Sequence, residues 1–348
     1  MKHFSTIIFL FAALLANGQQ AMRILLVDDS KDDFNNTAVI ANALTNNSFD
    51  FDYIDAPNMA AGPSAEDLMM YDLVIWHTSS DGVGLDLWAR VDENNPALVN
   101  YLSMDKGLWI IGNDFLYDRY QSPVDNFSEG DFVYDFLGIQ QYAAQAYGDD
   151  GNLGVPFVRP TQGQPISGLN DINWQFSTLW WADVLTPRQG AVSIYMMGGD
   201  GYPLAGQTSG LWFDNGLSKC LTFGFDLSLA ASQSLVNQTV GAVVPFFEAA
   251  LISNVPALPR TLTKAEVFPN PANEMVNLEL EVTETASFTV HLVNALGQHV
   301  ETLANDTLLD AGTHRFSWTP GLHIPSGMYY YKIISNGAVA SRSVIWSR

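Results

Sequence analysis

The chain has 348 residues, with 37 acidic side chains against 15 basic ones, and its formal net charge of -22 argues against nucleic acid as a partner. Hydrophobic residues make up 47% of the chain, which is enough to fill the cores of two domains and excludes intrinsic disorder. The single cysteine, Cys220, excludes an internal disulfide and a metal site built from several thiolates.

Residues 1–18 have the pattern of a secretory signal peptide. Lys2 gives a positive start, Ile7–Leu15 is almost entirely apolar, and Ala16 and Gly18 put small residues where a signal peptidase cleaves. The apolar run is about ten residues long, well short of the roughly 20 that span a bilayer. We therefore expect cleavage after Gly18 and a mature protein with no transmembrane segment.

Residues 22–252 alternate short apolar runs with helical stretches, which predicts an α/β domain with a doubly wound, mostly parallel sheet. The expected buried strands are Ile24–Val27, Phe49–Ile54, Leu73–Trp76 and Leu108–Ile111. The first helix places Phe34, Thr37, Ala41 and Leu44 on one face after a cap at Asp32 or Asp33. Further helices are expected over 96–104 and, despite Pro245, over 235–251.

After Gly148 the chain becomes rich in glycine and proline. Turn sequences join the β-prone runs 191–197, 211–213 and 220–225, which predicts antiparallel hairpins added to the sheet edge. Cys220 falls in the last of these strands, where a small buried thiol is expected.

Residues 253–263 form a predicted linker, and 264–348 show alternation typical of strands. Six or seven short strands in this segment predict a small all-β sandwich. The clearest runs are 276–282, 288–293, 313–318, 328–334 and 339–346.

Turn and packing residues recur along this last segment in a distinctive order. They are Pro269, Asn270, Pro271, Gly297, Gly312, Gly327 and Tyr329. The order resembles the type A C-terminal sorting domain of the type IX secretion system (Por) of Bacteroidota. The resemblance implies the secretion machinery as a partner, periplasmic transit and a secreted or outer-membrane surface location. The alternative is an ordinary immunoglobulin-like adhesion module.

The N-terminal domain is similar to a degenerate class I glutamine amidotransferase-like (flavodoxin-like) domain of secreted proteins. The similar stretches are 24–29, 71–77, 107–114, 136–138, 165–168 and 220–226. Active members carry a nucleophilic cysteine in a Gly-x-Cys-x-Gly turn after strand four. Aligning Gly112 with that turn puts Asp114 at the nucleophile position and Leu116 at the second glycine. His77 is the one histidine in residues 22–252, which also lack a Gly-x-Ser-x-Gly motif, so we assign no catalytic residue.

Polar residues follow three of the predicted parallel strands. They are Asp28, Asp29, His77, Asn113 and Asp114. Ligands of open α/β sheets bind at the carboxyl ends of the strands, so we expect these residues to form a ligand-binding site. Asp28, Asp29 and His77 also suggest a divalent cation as a possible cofactor. The alternative is that these residues end strands and cap helices.

A second cluster, of aromatic residues, lies in the loop-rich region and includes Trp174, Phe176, Trp180 and Trp181. Exposed indoles stack on sugar rings, whereas buried ones fill a core under a long loop, and both readings stay open.

Two functions remain from the sequence. The first is a non-catalytic binding domain for an unknown extracellular ligand, exported by the sorting domain. The alternative is a hydrolase of extracellular peptide or glycan that uses a metal-activated water at Asp28, Asp29, His77 and Asp114.

The negative charge of the chain is concentrated in the N-terminal domain, since residues 22–252 carry 29 acidic and 8 basic side chains and a net charge of -21.

Overall fold

The computed structural model describes residues 22–30, 36–56, 62–79, 84–88, 95–252, 261–294, 299–321, 323–335 and 338–347. The expected signal peptide, the helix cap at Asp32 or Asp33, Gly297 and most of the expected linker lie outside these residues. The described chain forms a large mixed sheet with a few helices, followed by an all-β region.

The large sheet has nine strands, and of its neighbouring pairs four are parallel and four are antiparallel. In spatial order they are β2 (Phe51–Asp55), β1 (Ile24–Asp28), β3 (Leu73–Ser79), β4 (Lys106–Gly112), β12 (Ser218–Phe223), β11 (Thr208–Asp214), β10 (Val192–Gly198), β7 (Phe157–Pro160) and β8 (Ile172–Asn173). A smaller antiparallel sheet contains β5 (Asp125–Asn126), β6 (Ile139–Gln145) and β9 (Asp183–Pro187). The expected antiparallel hairpins are confirmed, and they make the sheet less regular than the expected doubly wound arrangement.

Helices cover both faces of the parallel part. The described α-helices are α1 (Thr37–Asn46), α2 (Ala65–Met69), α3 (Pro96–Leu102), α4 (Phe115–Tyr120), α5 (Phe132–Asp135) and α6 (Gln233–Ile252). On one face, Leu26 and Ile75 pack in one core with residues of α1 and α6. On the other, Leu25 and Val74 pack with residues of α2, α3 and α4. Burial of successive strand residues on opposite faces explains the unbroken apolar runs of β1, β3 and β4.

Three boundaries differ from the sequence predictions. Helix α3 ends at Leu102, two residues early. Helix α6 runs from Gln233 to Ile252, two residues earlier and one residue later than the expected range 235–251. Pro245 lies inside it, as expected. The C-terminal region begins before the predicted boundary at 264, because Thr261 and Leu262 are already buried in it.

The C-terminal region consists of two antiparallel sheets that share one hydrophobic core. Their strands are β13 (Leu262–Phe268), β14 (Val276–Val282) and β17 (Gly312–Trp318) in one sheet, and β16 (His299–Leu309), β15 (Ala286–Asn294), β18 (Gly327–Ser335) and β19 (Ala338–Trp346) in the other. This matches the expected small two-sheet domain, with β13 and β16 as strands that the sequence patterns missed.

The proline-rich segment before β14 is joined to the last strand. The Asn270 Oδ1 atom accepts a hydrogen bond from the Ile345 N–H group at 2.9 Å. Ala272 forms a parallel bridge with Trp346. Tyr329 is buried and its hydroxyl donates to the Pro325 carbonyl at 2.8 Å. Gly312 has a φ of +137°, which favours glycine at the turn into β17.

Among the described residues, no helix combines the length and apolar character that crossing a bilayer requires.

Candidate functional site

The carboxyl ends of β1, β3 and β4 meet at one edge of the sheet, as expected for neighbouring parallel strands. The segment after β12 joins them there, because β12 runs parallel to β4. It contributes Asp226, at the start of a short 3-10 helix over Leu227–Leu229. The sequence prediction missed Asp226, although its position just after a buried strand is the same signal that marks His77 and Asn113.

Asp226 is the centre of a buried hydrogen-bond network. Its carboxylate accepts from the His77 Nε2 atom at 3.0 Å, the Asn36 amide at 2.7 Å and the Ser228 N–H group at 2.8 Å. Asp226 and His77 are both 0% exposed. The Asn113 Oδ1 atom accepts from the Asp226 N–H group at 2.9 Å, which ties β4 to the same network. Hydrogen bonds therefore satisfy the polar atoms of the buried Asp226 side chain.

The other ring nitrogen of His77 contacts a hydroxyl. The distance from Nδ1 to the Thr37 Oγ1 atom is 2.7 Å. Which of the two groups donates depends on the tautomer of the ring, because Thr37 also hydrogen-bonds to Asp28 and its hydroxyl has one proton to donate. The order carboxylate, imidazole, hydroxyl is that of a catalytic triad. However, Thr37 is 1% exposed and His77 is 0% exposed, so no substrate reaches the hydroxyl in this arrangement.

Asp28 and Asp29 face opposite sides of the sheet, as adjacent strand residues do. Asp28 lies near the Thr37 side and accepts from the Ser30 N–H group at 3.0 Å and from the Tyr53 hydroxyl at 2.6 Å. Burial opposes its ionisation, but hydrogen bonds from Ser30, Tyr53 and Thr37 outweigh it and lower the pKa of Asp28. Asp28 is thus an ionised side chain with its own partners.

Asp29 anchors the segment that follows β3. Its carboxylate accepts from the Trp76 indole N–H at 2.9 Å and from the N–H groups of Asp86 at 2.9 Å and Leu87 at 2.8 Å. Burial raises the pKa of Asp29 to about 7, although these three hydrogen bonds act in the opposite direction. These side-chain contacts are structural, and the Asp29 N–H group also donates to the His77 carbonyl at 2.9 Å.

Asp114 begins α4 in the left-handed conformation, with φ of +57°. Its carboxylate accepts a short hydrogen bond from the Gln145 amide, and the same nitrogen lies 3.2 Å from the Asp183 Oδ1 atom. Asp183 is fully buried, and burial, together with the charge of Asp114, raises its pKa well above the usual value. Asp114 therefore belongs to a third set of contacts, with Gln145 and Asp183.

The predicted site residues thus fall into three sets of partners. His77 and Asn113 meet through Asp226, and Asp28 shares Thr37 with His77. The Asp29 and Asp114 side chains have other partners. Among the residues that the structure describes, no group of three or more His, Cys, Asp or Glu side chains is arranged to hold a metal ion. The divalent-cation hypothesis for Asp28, Asp29 and His77 gains no support from this geometry.

Cys220 is fully buried in β12, as expected. Burial raises the pKa of its thiol to about 12, and the hydrogen bond with Ser218 offsets only part of that rise. The thiolate needed for nucleophilic attack is not formed at neutral pH.

A cavity of about 450 Å³ opens beside the buried network. We call it the aromatic cavity, and it is lined by Asn113, Phe176, Ser177, Thr178, Leu179, Trp180, Trp181 and Leu229. It touches the network through Asn113, whose amide donates to the Trp180 carbonyl at 3.2 Å. The sequence found this aromatic cluster but placed none of its members in the ligand site. Of the expected site residues, Asn113 alone lines it.

Residues 266–347 match the family model of the secretion system C-terminal sorting domain. The matched range covers the all-β region from within β13 to the end of β19. The match supports export through the type IX secretion system, interaction with its machinery, and a secreted or cell-surface location.

No curated protein sequence matches the chain. Two solved structures show a distant likeness to it. A polyextremophilic β-galactosidase from the Antarctic haloarchaeon Halorubrum lacusprofundi is 12% identical, with a TM-score of 0.38 over 86% of this chain and 40% of that one. The β-glucosidase EmGH1 from Erythrobacter marinus is 7% identical, with a TM-score of 0.22 over 94% of this chain and 47% of that one. The chain spans less than half the length of either protein, and such low scores carry no argument about fold or activity.

Proposed function

We propose that this protein is a type IX secretion cargo whose N-terminal domain is a non-catalytic binding domain for an extracellular ligand. After signal-peptide cleavage and periplasmic transit, the sorting domain directs the chain across the outer membrane. The observation that carries the non-catalytic part is the Asp226 network, in which the one histidine of the N-terminal domain is fully buried between Thr37 and Asp226.

The degenerate amidotransferase-like relationship is part of the same proposal. It is supported by the parallel order β2-β1-β3-β4 and by the left-handed backbone of Asp114 directly after β4. A positive φ at this turn fits a residue held out from the sheet, where an active relative carries its nucleophile. A carboxylate in contact with Gln145 replaces the thiol here, which fits a domain that has kept the scaffold without the reaction.

The metal-assisted hydrolase has less support as an alternative. The side chains of its residues Asp28, Asp29, His77 and Asp114 are all engaged in hydrogen bonds, so a shared cation requires several of these bonds to break. Metal content and turnover test this alternative on the purified full chain. We expect the same melting temperature with and without chelator, and no hydrolysis of peptide or glycan substrates. A bound divalent cation together with turnover that is lost in His77→Ala would overturn the non-catalytic proposal.

Export is tested in the native host by removing the sorting domain. The deletion begins at Thr261 instead of the predicted boundary, because Thr261 and Leu262 pack in the C-terminal core. We expect the truncated chain to accumulate in the periplasm, whereas the full chain reaches the surface or the medium. The control is a full chain carrying Tyr117→Ala, an exposed change in α4. Normal release of the truncated chain would contradict the sorting role.

A further inference from the structure

We propose that the aromatic cavity is a binding site for a neutral sugar ring, with Trp180 as the stacking platform. The inference rests on the proposed role of the N-terminal domain as an extracellular binding domain and names its ligand class. The volume of about 450 Å³ lies in the roughly 300 to 1,000 Å³ range of small-molecule sites.

Trp180 presents an open indole surface. Its ring stacks on Tyr147, with ring centroids 4.2 Å apart and an angle of 29° between the planes. Even so, Trp180 is 49% exposed. Tyr147 covers one face of the indole, and Trp180 also lines the cavity. Phe176 lines the same cavity and is 57% exposed, so the two exposed rings form one apolar surface rather than scattered residues.

The backbone around Trp180 holds the ring in place. Gly154 has a φ of +78°, and a Cβ atom there would lie 2.5 Å from the Trp180 Cδ1 atom. Only glycine therefore lets the chain approach the indole so closely. Tyr147 and Trp181, which also contact each other, both have left-handed backbones, with φ of +69° and +63°. Aromatic residues rarely adopt this conformation. Here it accompanies the stacking of Trp180 on Tyr147 and the edge-on contact of Trp181 with Tyr147.

The polar groups of the cavity suit hydroxyl groups. Ser177 and Thr178 are among the lining residues, and their hydroxyls can both donate and accept. The Asn113 amide is already engaged, since it accepts from the Asp226 N–H group and donates to the Trp180 carbonyl. A pyranose matches this combination because it has an apolar face of C–H groups for the indole and a rim of hydroxyls.

The charge of the domain further restricts the chemical class of the ligand. None of the residues that line the cavity is charged. A bound anion would therefore lose its hydration without gaining an ionic partner. The net charge of -21 on residues 22–252 also repels acidic sugars. These two observations favour an uncharged ring over a uronic acid or a sulfated sugar.

The experiment titrates the purified full chain with four probes and follows tryptophan fluorescence and heat of binding. The probes are the neutral sugar cellobiose, the acidic sugar galacturonic acid, the cation choline and the planar apolar ring indole. We expect cellobiose to bind with a Kd in the millimolar range or tighter, and the other three to bind at least about tenfold more weakly.

The variants locate the site. Trp180→Ala should weaken cellobiose binding at least about tenfold, and Trp180→Phe, which keeps a ring, by less. Tyr117→Ala removes an exposed aromatic side chain outside the cavity and should leave the affinity unchanged. Phe176→Ala gives a second test if Trp180→Ala does not fold, since Phe176 is the more exposed ring.

Each outcome decides the proposal. Cellobiose binding that is unchanged in Trp180→Ala and Phe176→Ala places the site elsewhere and overturns it. Preferred binding of choline or indole overturns the sugar assignment and leaves the binding role of the domain in place. No binding of any probe at about 10 mM refutes the sugar site and counts against the binding role. Export is measured separately in the host, so these results do not depend on it.

Discussion

Replacing Asp29 by asparagine should change how the stability of the N-terminal domain depends on pH. Burial raises the pKa of Asp29 from 3.8 to about 7, so the folded chain binds its proton more tightly than the unfolded chain does. The free energy of unfolding is then highest at low pH for this group and falls as the pH rises from about 4 to about 7. A shift of roughly three pKa units corresponds to up to about 4 kcal/mol.

The asparagine variant has no such proton to lose. Its amide oxygen can accept from Trp76 and Leu87, while its amide nitrogen faces the Asp86 N–H group, which loses its acceptor. That loss costs about 1 to 3 kcal/mol, and it applies equally at every pH. The difference in unfolding free energy between the wild type and Asp29→Asn therefore carries two pieces of information. Its change with pH reports the titration of Asp29, and its constant part reports the lost hydrogen bond.

Urea unfolding of the full chain across about pH 4 to 8, followed by tryptophan fluorescence, measures both quantities. We expect the stability of the wild type relative to Asp29→Asn to decline by up to about 4 kcal/mol between pH 4 and pH 7. The control is Asp171→Asn, which removes a carboxylate that is 47% exposed and paired with exposed Arg159. Parallel curves for the wild type and Asp29→Asn would refute the assignment of a raised pKa to Asp29.

Three further changes test other parts of the structure. Asp226→Ala should lower the free energy of unfolding by about 3 to 5 kcal/mol, because it leaves buried donors such as His77 Nε2 without their acceptor; a loss under about 1 kcal/mol in urea unfolding would contradict this. Cys220 should resist alkylation by iodoacetamide in the folded chain at about pH 8 and react once urea unfolds it, as mass spectrometry would show, because the thiol is buried and its pKa is raised to about 12. Gly154→Ala should lower the melting temperature and shift the emission of Trp180, since the new Cβ meets the indole and φ is +78°; unchanged emission would show that the ring is not held there.

The parallel part of the large sheet follows from local pattern alone. Strands such as β3 and β4 are buried on both faces, so their apolar runs are continuous and readable. Strand β16 was missed for the opposite reason. Its sequence, HVETLANDTLL, is mostly exposed, and its pairing with β15 contains register shifts that break the alternation.

The contacts of the candidate site go beyond what local pattern contains. His77 and Asn113 follow neighbouring strands, and both hydrogen-bond to Asp226. The two-residue period of a strand already implied that Asp28 and Asp29 point to opposite faces, which argues against a shared cation. The role of Asp226 depends on β12 lying beside β4, a pairing between segments more than 100 residues apart that local pattern does not encode. The close approach of Gly154 to Trp180 likewise depends on the tertiary structure and cannot be predicted from local pattern.

The bridge between Ala272 and Trp346 forms only after the last strand of the chain has been synthesised. The two residues belong to the first and last segments of the C-terminal region, and Asn270 accepts from the Ile345 N–H group in the same place. We call these two contacts the clasp. Translation supplies Asn270 and Ala272 long before their partners, so this clasp closes only after residue 346 has been added. A ribosome that stalls earlier yields a chain whose sorting region lacks the clasp.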